Sequence, residues 1–166
     1  MKQEFSAGGI VFRKDDSGQA RMTPGESVLI LVCQHSQHHG WVFPKGFIGD
    51  HVVGESKEDT ALRETQEETG IIGKILEPLP EITYMYEMDG EKHQKTVYYY
   101  IMESVGGDIK NHDWEMENVE WLPIEEVENR LTFTSDKTVW EKAKERIREL
   151  TTDMQVAERV GFPQGD

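Results

Sequence analysis

Residues 54–71, GESKEDTALRETQEETGI, constrain the fold of this chain most, because they define one helix together with both of its ends. Ser56 suits the N-cap position, and acidic residues follow it in the first turn. Gly70 suits the C-terminal stop, since glycine readily adopts the left-handed conformation that ends many helices. We therefore predict a helix over residues 56–69.

The carboxylates of this helix gather on one face. Residues three or four positions apart are neighbours on a helix surface, so Glu64 lies beside both Glu67 and Glu68. Ala61 and Thr65 belong to a second face that can pack against a sheet. A solvated acidic face is one interpretation of this cluster. The other interpretation is a divalent-metal site. Mg²⁺ prefers hard oxygen ligands and usually lies between protein carboxylates and substrate phosphates.

The rest of the chain predicts an α+β domain with a mixed sheet and helices on its faces. Strands are predicted where apolar and β-branched residues lie between turn-forming residues, at 5–13, 27–35, 40–46, 75–88, 92–104 and 118–123. Residues 89–92, DGEK, predict a hairpin turn. Two further helices are predicted at 124–131 and 135–150. We expect one domain over residues 1–150 and a polar, partly flexible tail over 151–166.

Net charge and cysteine content indicate which binding partners and which cellular compartment to expect for this chain. The chain has 18 basic and 32 acidic residues, a formal net charge of −14, which repels nucleic-acid backbones and anionic membranes. No apolar run approaches the ~20 residues of a membrane-spanning helix, so we expect no membrane partner. The single cysteine, Cys33, is interpreted as a small buried hydrophobe and allows no disulfide within the chain. We expect a cytoplasmic protein.

The acidic helix and its flanks resemble the signature of the Nudix hydrolases. That signature runs Gly, five residues, Glu, seven residues, then Arg-Glu-apolar-any-Glu-Glu-any-Gly-apolar. This chain matches it with Gly49, Glu55, Arg63, Glu64, Glu67, Glu68, Gly70 and Ile71. The resemblance extends over roughly residues 5–150 and implies a Nudix-like α/β/α sandwich with a mixed β-sheet and a catalytic loop-helix-loop.

The chain departs from the family pattern at two places. Thr65 stands where the family prefers an aliphatic residue, although its methyl group can still pack. In relatives with the motif PKG, that glycine opens the signature, but here eight residues separate Gly46 from Glu55. Either Gly49 takes its place, or the loop FIGDHVVG contains a three-residue insertion, which we favour.

The resemblance implies a pyrophosphohydrolase in which water attacks a phosphorus of a nucleoside diphosphate derivative. Mg²⁺, or Mn²⁺ in its place, would polarise the phosphoryl oxygens and lower the pKa of a bound water. Glu67 and Glu68 are the implied ligands, and Glu64, held by Arg63, is a ligand or the general base. Further implied members of the metal and catalytic set are Glu55, the backbone carbonyl of Lys45, and Glu115, with Glu117 as the fallback for Glu115.

Substrate-binding residues are predicted on a strand and two loops. Residues 95–102 alternate between two faces, so Lys95 and Tyr99 share one. The same Lys-x-x-x-Tyr spacing occurs in dinucleoside tetraphosphate hydrolases, which implies contacts to phosphate or base; packing under a helix is the alternative for Tyr99. Lys45 and His39 are further candidates for phosphate contacts. A zinc site in HSQHHGW is disfavoured, because neither HExxH nor paired cysteines are present.

Within the family, the chain is most similar to enzymes that split diadenosine tetraphosphate asymmetrically. Other family activities remain open: removal of damaged nucleoside triphosphates, removal of pyrophosphate from RNA 5′ ends, and trimming of diphosphoinositol polyphosphates. The net charge disfavours long RNA, and the lack of a basic cluster disfavours inositol polyphosphates. A non-catalytic nucleotide-binding sensor is the alternative from another class. The expected partner is a small-molecule nucleotide, and the chain is a monomer or a homodimer.

Overall fold

A computed structural model describes residues 1–15 and 28–159 of the chain. Its strands are β1 (Lys2–Lys14), β2 (Val28–His35), β3 (Trp41–Val42), β4 (Lys45–Phe47), β5 (Ile71–Pro78), β6 (Ile82–Met88), β7 (Glu91–Gly107) and β8 (Met116–Pro123). Its helices are α1 (Lys57–Thr69), α2 (Val127–Arg130) and α3 (Thr134–Arg159), with single 3₁₀ turns at Ile109–Asn111 and Ile124–Glu126. The first residue of the predicted strand 27–35 and residues 160–166 of the predicted tail lie outside the described residues.

The centre of the sheet is a parallel pairing between its two longest strands. In β1, Lys2 to Phe12 pair with His93 to Glu103 of β7. The other edge of β1 pairs antiparallel with β4 and then with β2, and β2 continues to β3 and β8. The other edge of β7 pairs antiparallel with β5 and β6. The described strands thus form one mixed sheet, as the sequence predicts.

Helices pack on both faces of this sheet, and β7 contributes buried side chains to each face. Alternate residues of β7 belong to two separate hydrophobic clusters. One cluster contains Val97, Tyr99 and Ile101 with Val139, Trp140, Ala143 and Ile147 of α3. The other contains Tyr100 and Met102 with Ala61 of α1. This arrangement confirms the predicted α+β sandwich, and it places α1 and α3 on opposite faces.

Helix α1 begins and ends where the sequence predicts. The Ser56 hydroxyl accepts a hydrogen bond from the Asp59 amide at 3.1 Å. Gly70 has φ of 79°, and a Cβ there would lie 2.1 Å from the carbonyl oxygen of Asp108, so the tight passage requires glycine. The face predicted to pack on the sheet does so, since Ala61 and Thr65 are both fully buried.

Three predicted element boundaries are wrong. The predicted strand 75–88 is two strands, β5 ending at Pro78 and β6 beginning at Ile82, because prolines interrupt the ladder. The predicted strand 40–46 is likewise split into β3 and β4. Helix α3 continues past the predicted end at Leu150 to Arg159. Thr151 is buried, and its hydroxyl donates to the carbonyl of Ile147 at 2.8 Å.

Among the described residues, no helix combines the length and the apolar character that crossing a lipid bilayer requires.

The packing of α3 predicts a large difference between two truncations on the same helix. Ile147→Ala should lower the free energy of unfolding by about 2–5 kcal/mol, because it leaves a cavity between α3 and the sheet. Val156→Ala is the matched control; the Val156 side chain is 54% exposed, and its truncation should cost less than about 0.5 kcal/mol. Chemical denaturation measures both variants. Equal effects would contradict this placement of α3.

Candidate active site

The guanidinium of Arg63 on α1 organises the acidic cluster. Its Nε and Nη2 donate to the two carboxylate oxygens of Glu55, each at 2.9 Å. Its Nη1 donates to Glu64 at 3.0 Å and to Glu67 at 3.2 Å. The hydroxyl of Thr60 also donates to Glu55, at 2.7 Å. Both oxygens of Glu55 are therefore engaged by protein donors, which favours a positioning role for Glu55 over the predicted role as metal ligand.

Glu64 lies against a glycine, and only a glycine fits there. A Cβ at Gly46 would lie 2.1 Å from the Glu64 Cδ and 2.4 Å from each carboxylate oxygen. Gly49, by contrast, lies in a turn with φ of 77°, and the only described atom within 4 Å of a Cβ there is the Val52 carbonyl oxygen, at 3.9 Å. Gly46 thus packs against the acidic helix. This agrees with the interpretation that the loop of residues 47–54 contains an insertion.

Glu68 is the most enclosed carboxylate of the cluster. Its side chain is almost fully buried, and one oxygen accepts the backbone amide of Lys45 at 3.0 Å. Burial raises the pKa of Glu68 well above its ordinary value. Burial also raises the pKa of Glu64, although the hydrogen bond from Arg63 opposes it. Two buried carboxylates on one helix face are costly to ionise unless a cation lies beside them.

A histidine that the sequence analysis missed completes this cluster. His51 lies in the loop of residues 47–54, and one ligand atom from each of His51, Glu64 and Glu67 falls within 4.8 Å of the others. Among the described residues, this group can hold a metal ion. Only the structure shows it, because nothing in the spacing of the loop indicates that His51 turns toward α1.

A cleft of about 320 Å³ beside the cluster is lined by both acidic and basic side chains. The acidic ones are Asp50, Glu64, Glu68 and Glu115, and the basic ones are Lys45 and Lys95, with His35, His38 and His51 also in contact with the cleft. The structure thus brings together most of the residues that the sequence analysis assigned to the metal and to the substrate. Such a cleft suits a ligand that carries both phosphate groups and cations.

Glu115 reaches the cleft from the loop before β8. The Glu115 carbonyl accepts the Ser36 amide at 2.9 Å, and the Asp113 amide donates to the Glu67 carbonyl at 2.9 Å. These two bonds fix the loop against both β2 and α1. Glu117, the fallback candidate, instead contacts His39 at 2.6 Å.

The two lysines of the cleft differ in their electrostatic surroundings. Burial disfavours the charged form of Lys45, but Asp136, Tyr84 and Glu68 outweigh burial, so the pKa of Lys45 is raised. Burial and, to a smaller extent, the nearby charge of Lys45 together lower the pKa of Lys95 to about 8. Lys45 therefore stays protonated at neutral pH, whereas Lys95 begins to lose its proton in mildly alkaline solution.

Ser6 of β1 places a buried hydroxyl beside the cleft. The residue is fully buried on the strand that lies between the two strands carrying the lysines. Among the described residues, its Oγ has no hydrogen-bond partner, which is costly for a buried hydroxyl. A lone serine in an apolar strand gives no sequence signal for such a position.

Two predicted substrate contacts require correction. Tyr99 is 1% exposed and does not line the cleft; its hydroxyl donates to the buried carboxylate of Asp136 at 3.2 Å. Tyr99 therefore lies beneath the cleft, where Asp136 in turn raises the pKa of Lys45. His39 has φ of 60°, and its ring is directed to Glu117 rather than to the cleft.

Two other histidines line the cleft in place of His39. The rings of His35 and His38 stack with centroids 4.2 Å apart, and Phe133 meets His38 edge-on at 5.4 Å. The rings of His35 and His38 form an aromatic wall of the cleft, and Phe133 packs against His38 from outside the lining.

Comparison with known proteins decides the family. The NUDIX domain profile matches residues 6–143 of the chain. The chain belongs to the Nudix family. The resemblance found in the sequence is therefore confirmed, and the acidic cluster on α1 with its neighbouring loops is the Nudix signature of this protein.

Relatives of this Nudix chain have different described activities. The putative mutator protein MutT4 of Mycobacterium tuberculosis (strain CDC 1551 / Oshkosh) is 36% identical over 153 residues, which cover 90% of this chain and 58% of that protein. The asymmetrical bis(5′-nucleosyl)-tetraphosphatase of Rattus norvegicus is 33% identical over 127 residues, which cover 73% of this chain and 80% of that protein.

A solved structure shares the Nudix fold. It is the binary complex of a C. elegans Ap4A hydrolase, with a TM-score of 0.59 and 21% identity, covering 87% of this chain and 97% of that chain. At this identity, the likeness shows the fold alone.

The contact between Gly46 and Glu64 predicts a position-specific effect of an added methyl group. Gly46→Ala should lower the free energy of unfolding by about 1–3 kcal/mol, because its Cβ overlaps the Glu64 carboxylate, which must move and give up its hydrogen bond from Arg63. Gly106→Ala is the matched control, since its Cβ would meet Ile72 at an ordinary 3.6 Å. Urea denaturation measures both. A Gly46→Ala variant as stable as Gly106→Ala would show that Glu64 does not occupy this position.

Proposed function

We propose that this chain is a Mg²⁺-dependent pyrophosphohydrolase that cleaves nucleoside polyphosphates, with dinucleoside polyphosphates such as diadenosine tetraphosphate as its substrates. The observation that carries the proposal is that one cleft is lined both by buried carboxylates of α1 and by two lysines. The buried carboxylates favour a bound cation, and the lysines favour a bound anion. A polyphosphate bound together with a divalent metal meets both requirements at once.

The residues of the cluster fit a divalent metal. Gly46 leaves open the space that the Glu64 carboxylate occupies, and the burial of Glu64 and Glu68 disfavours their charge without a cation. In the proposal, Glu64, Glu67 and Glu68 hold Mg²⁺, with the Lys45 carbonyl as a further ligand and Mn²⁺ as a substitute. The bound metal supplies Lewis-acid polarisation of phosphoryl oxygens and acidification of water.

The other side chains of the site have separate roles in hydrolysis. Glu115 is assigned as general base, because it reaches the cleft from a loop that is fixed at two points, whereas Glu64 already accepts a bond from Arg63. Arg63 positions Glu64 and Glu67. Lys45 and Lys95, which line the same cleft, bind phosphate oxygens.

The choice of substrate is supported by relatives and by charge. The rat relative, matched over 80% of its length, is described as an asymmetrical bis(5′-nucleosyl)-tetraphosphatase. The aromatic wall of His35 and His38 can stack on a base at one end of the cleft. The second candidate is a nucleoside triphosphate, which the similarity to a putative mutator protein favours. The net charge of −14 disfavours long RNA.

A substrate panel tests the proposed function. The protein is incubated with nucleoside triphosphates and dinucleoside polyphosphates in Mg²⁺, and the products are separated by chromatography. We expect diadenosine tetraphosphate to yield AMP and ATP, and the reaction to stop in EDTA and resume with Mg²⁺ or Mn²⁺. Preferential cleavage of nucleoside triphosphates would support the second candidate. Turnover that persists in chelator, or no cleavage of any member, would refute the mechanism.

Glu68→Gln should lower turnover by orders of magnitude while leaving the protein folded. The amide removes a metal ligand, but it also removes a carboxylate whose charge is disfavoured by burial, so the free energy of unfolding should not fall. Glu58→Gln on the same helix is the matched control, because Glu58 contacts Tyr100 away from the cleft. Steady-state kinetics and thermal denaturation separate the two effects. Near-normal turnover in Glu68→Gln would remove this residue from the mechanism.

The pH dependence of substrate binding should report on Lys95. Burial lowers the Lys95 pKa to about 8, so the cation that binds phosphate is present below that pH and is lost above it. KM should therefore rise as the pH increases from about 7 to about 9. Lys95→Arg keeps its charge and should flatten this rise. Lys95→Met should raise KM at every pH; an unaltered pH profile in Lys95→Met would show that another group titrates.

A further inference from the structure

The loop of residues 47–54 brings a nitrogen donor to a cluster of carboxylates. His51 approaches Glu64 and Glu67 so that one ligand atom of each residue lies within 4.8 Å of the others. His51 also lines the cleft, next to the proposed phosphate site. Its imidazole therefore borders the same space as the carboxylates of α1, although more than half of the side chain is exposed to solvent.

Hydrogen bonds hold this loop close to the cluster at both ends. At its beginning, the Ile48 amide donates to the Phe5 carbonyl on β1 at 2.9 Å. At its end, the amide of Glu55 donates to the Val52 carbonyl at 3.2 Å, and the Glu55 side chain is bound by Arg63. Because Arg63 also contacts Glu64 and Glu67, one guanidinium fixes both the carboxylates and the loop that carries His51.

An ion pair with the neighbouring Asp50 explains the position of His51 less well than coordination of a metal ion does. The Nε2 of His51 lies 3.8 Å from an Asp50 oxygen, which is longer than a hydrogen bond, and both side chains are more than half exposed. Exposed ion pairs of this kind contribute little free energy. A coordination bond to a divalent ion is a stronger reason for an imidazole to lie between two carboxylates.

We infer that His51 is a nitrogen ligand of the divalent-metal site and that it shifts the preference of the site from Mg²⁺ toward Mn²⁺. The inference rests on the proposed function in that it takes the acidic cluster to bind a divalent metal. Mg²⁺ favours an all-oxygen set. Mn²⁺ also favours oxygen, but as a first-row transition ion it gains more than Mg²⁺ does from one added imidazole nitrogen. A mixed set of carboxylates and one imidazole therefore discriminates between the two ions.

Pulsed electron paramagnetic resonance tests the ligand directly on the full chain loaded with Mn²⁺. Wild-type protein should show the ¹⁴N modulation of a coordinated imidazole, and His51→Gln should lose it. His112→Gln is the matched control; His112 contacts the Asp113 carbonyl outside the cluster, and its variant should keep the modulation. His51→Asp replaces nitrogen by oxygen, so it should bind Mn²⁺ without the modulation.

Calorimetric titration of the same variants tests the metal preference. Loss of even an outer partner of a metal site costs about 10–100-fold in affinity, so His51→Gln should bind Mn²⁺ at least about tenfold more weakly. Mg²⁺ affinity should fall less, and His51→Asp should bind Mg²⁺ at least as well as wild type does. The His112→Gln control should match wild type for both ions.

The outcomes distinguish the inference from the function on which it rests. Mn²⁺ binding without imidazole modulation, unchanged in His51→Gln, would overturn the role of His51 and leave the carboxylate site and the hydrolase intact. Absence of any Mn²⁺ or Mg²⁺ binding to wild type would overturn both. Circular dichroism of each variant shows that it is folded before its titration is compared.

Discussion

One guanidinium holds the carboxylates of this protein in place, and the chemistry of the cleft depends on it. Arg63 contacts Glu55, Glu64 and Glu67 at 2.9, 3.0 and 3.2 Å. A single positive charge shared among three carboxylates orders them but leaves the cluster negative. Glu68 adds a further buried carboxylate that is bound only to a backbone amide among the described contacts. The protein thus aligns negative oxygens without neutralising them, which is the condition for holding a hard divalent ion.

The charge of Lys45 in the cleft depends on groups buried beneath it. Tyr99 donates to Asp136 at the start of α3, and Asp136 favours the protonated form of Lys45. The larger hydrophobic cluster, under α3, therefore lies beneath the lysines that are assigned to the substrate. The smaller cluster, under α1, lies beneath the carboxylates. The mixed sheet brings the two together, because β4 pairs with β1, meets the acidic helix through Gly46, and also carries Lys45.

Local patterns made part of this site predictable. The caps of α1 and the three- and four-residue spacing of its glutamates depend only on neighbouring residues, so the sequence places Arg63, Glu64, Glu67 and Glu68 correctly relative to each other. The wider resemblance to the family, outside the signature, adds Lys45, Lys95 and Glu115. His51 could not be found, since its approach to α1 depends on the path of an eight-residue loop. The alternation along β7 predicts that Tyr99 shares a face with Lys95, but not that α3 covers only one of them. The left-handed backbone at His39 turns its ring away, and no residue pattern indicates that.

The most direct test of the central claim is anomalous diffraction from crystals of the wild-type protein grown with Mn²⁺. The account predicts an anomalous peak within coordination distance of the carboxylate oxygens of Glu64 and Glu67, on the side of α1 that faces the cleft. A map in which these side chains point into bulk solvent in different directions, with no peak between them at millimolar Mn²⁺, would contradict it.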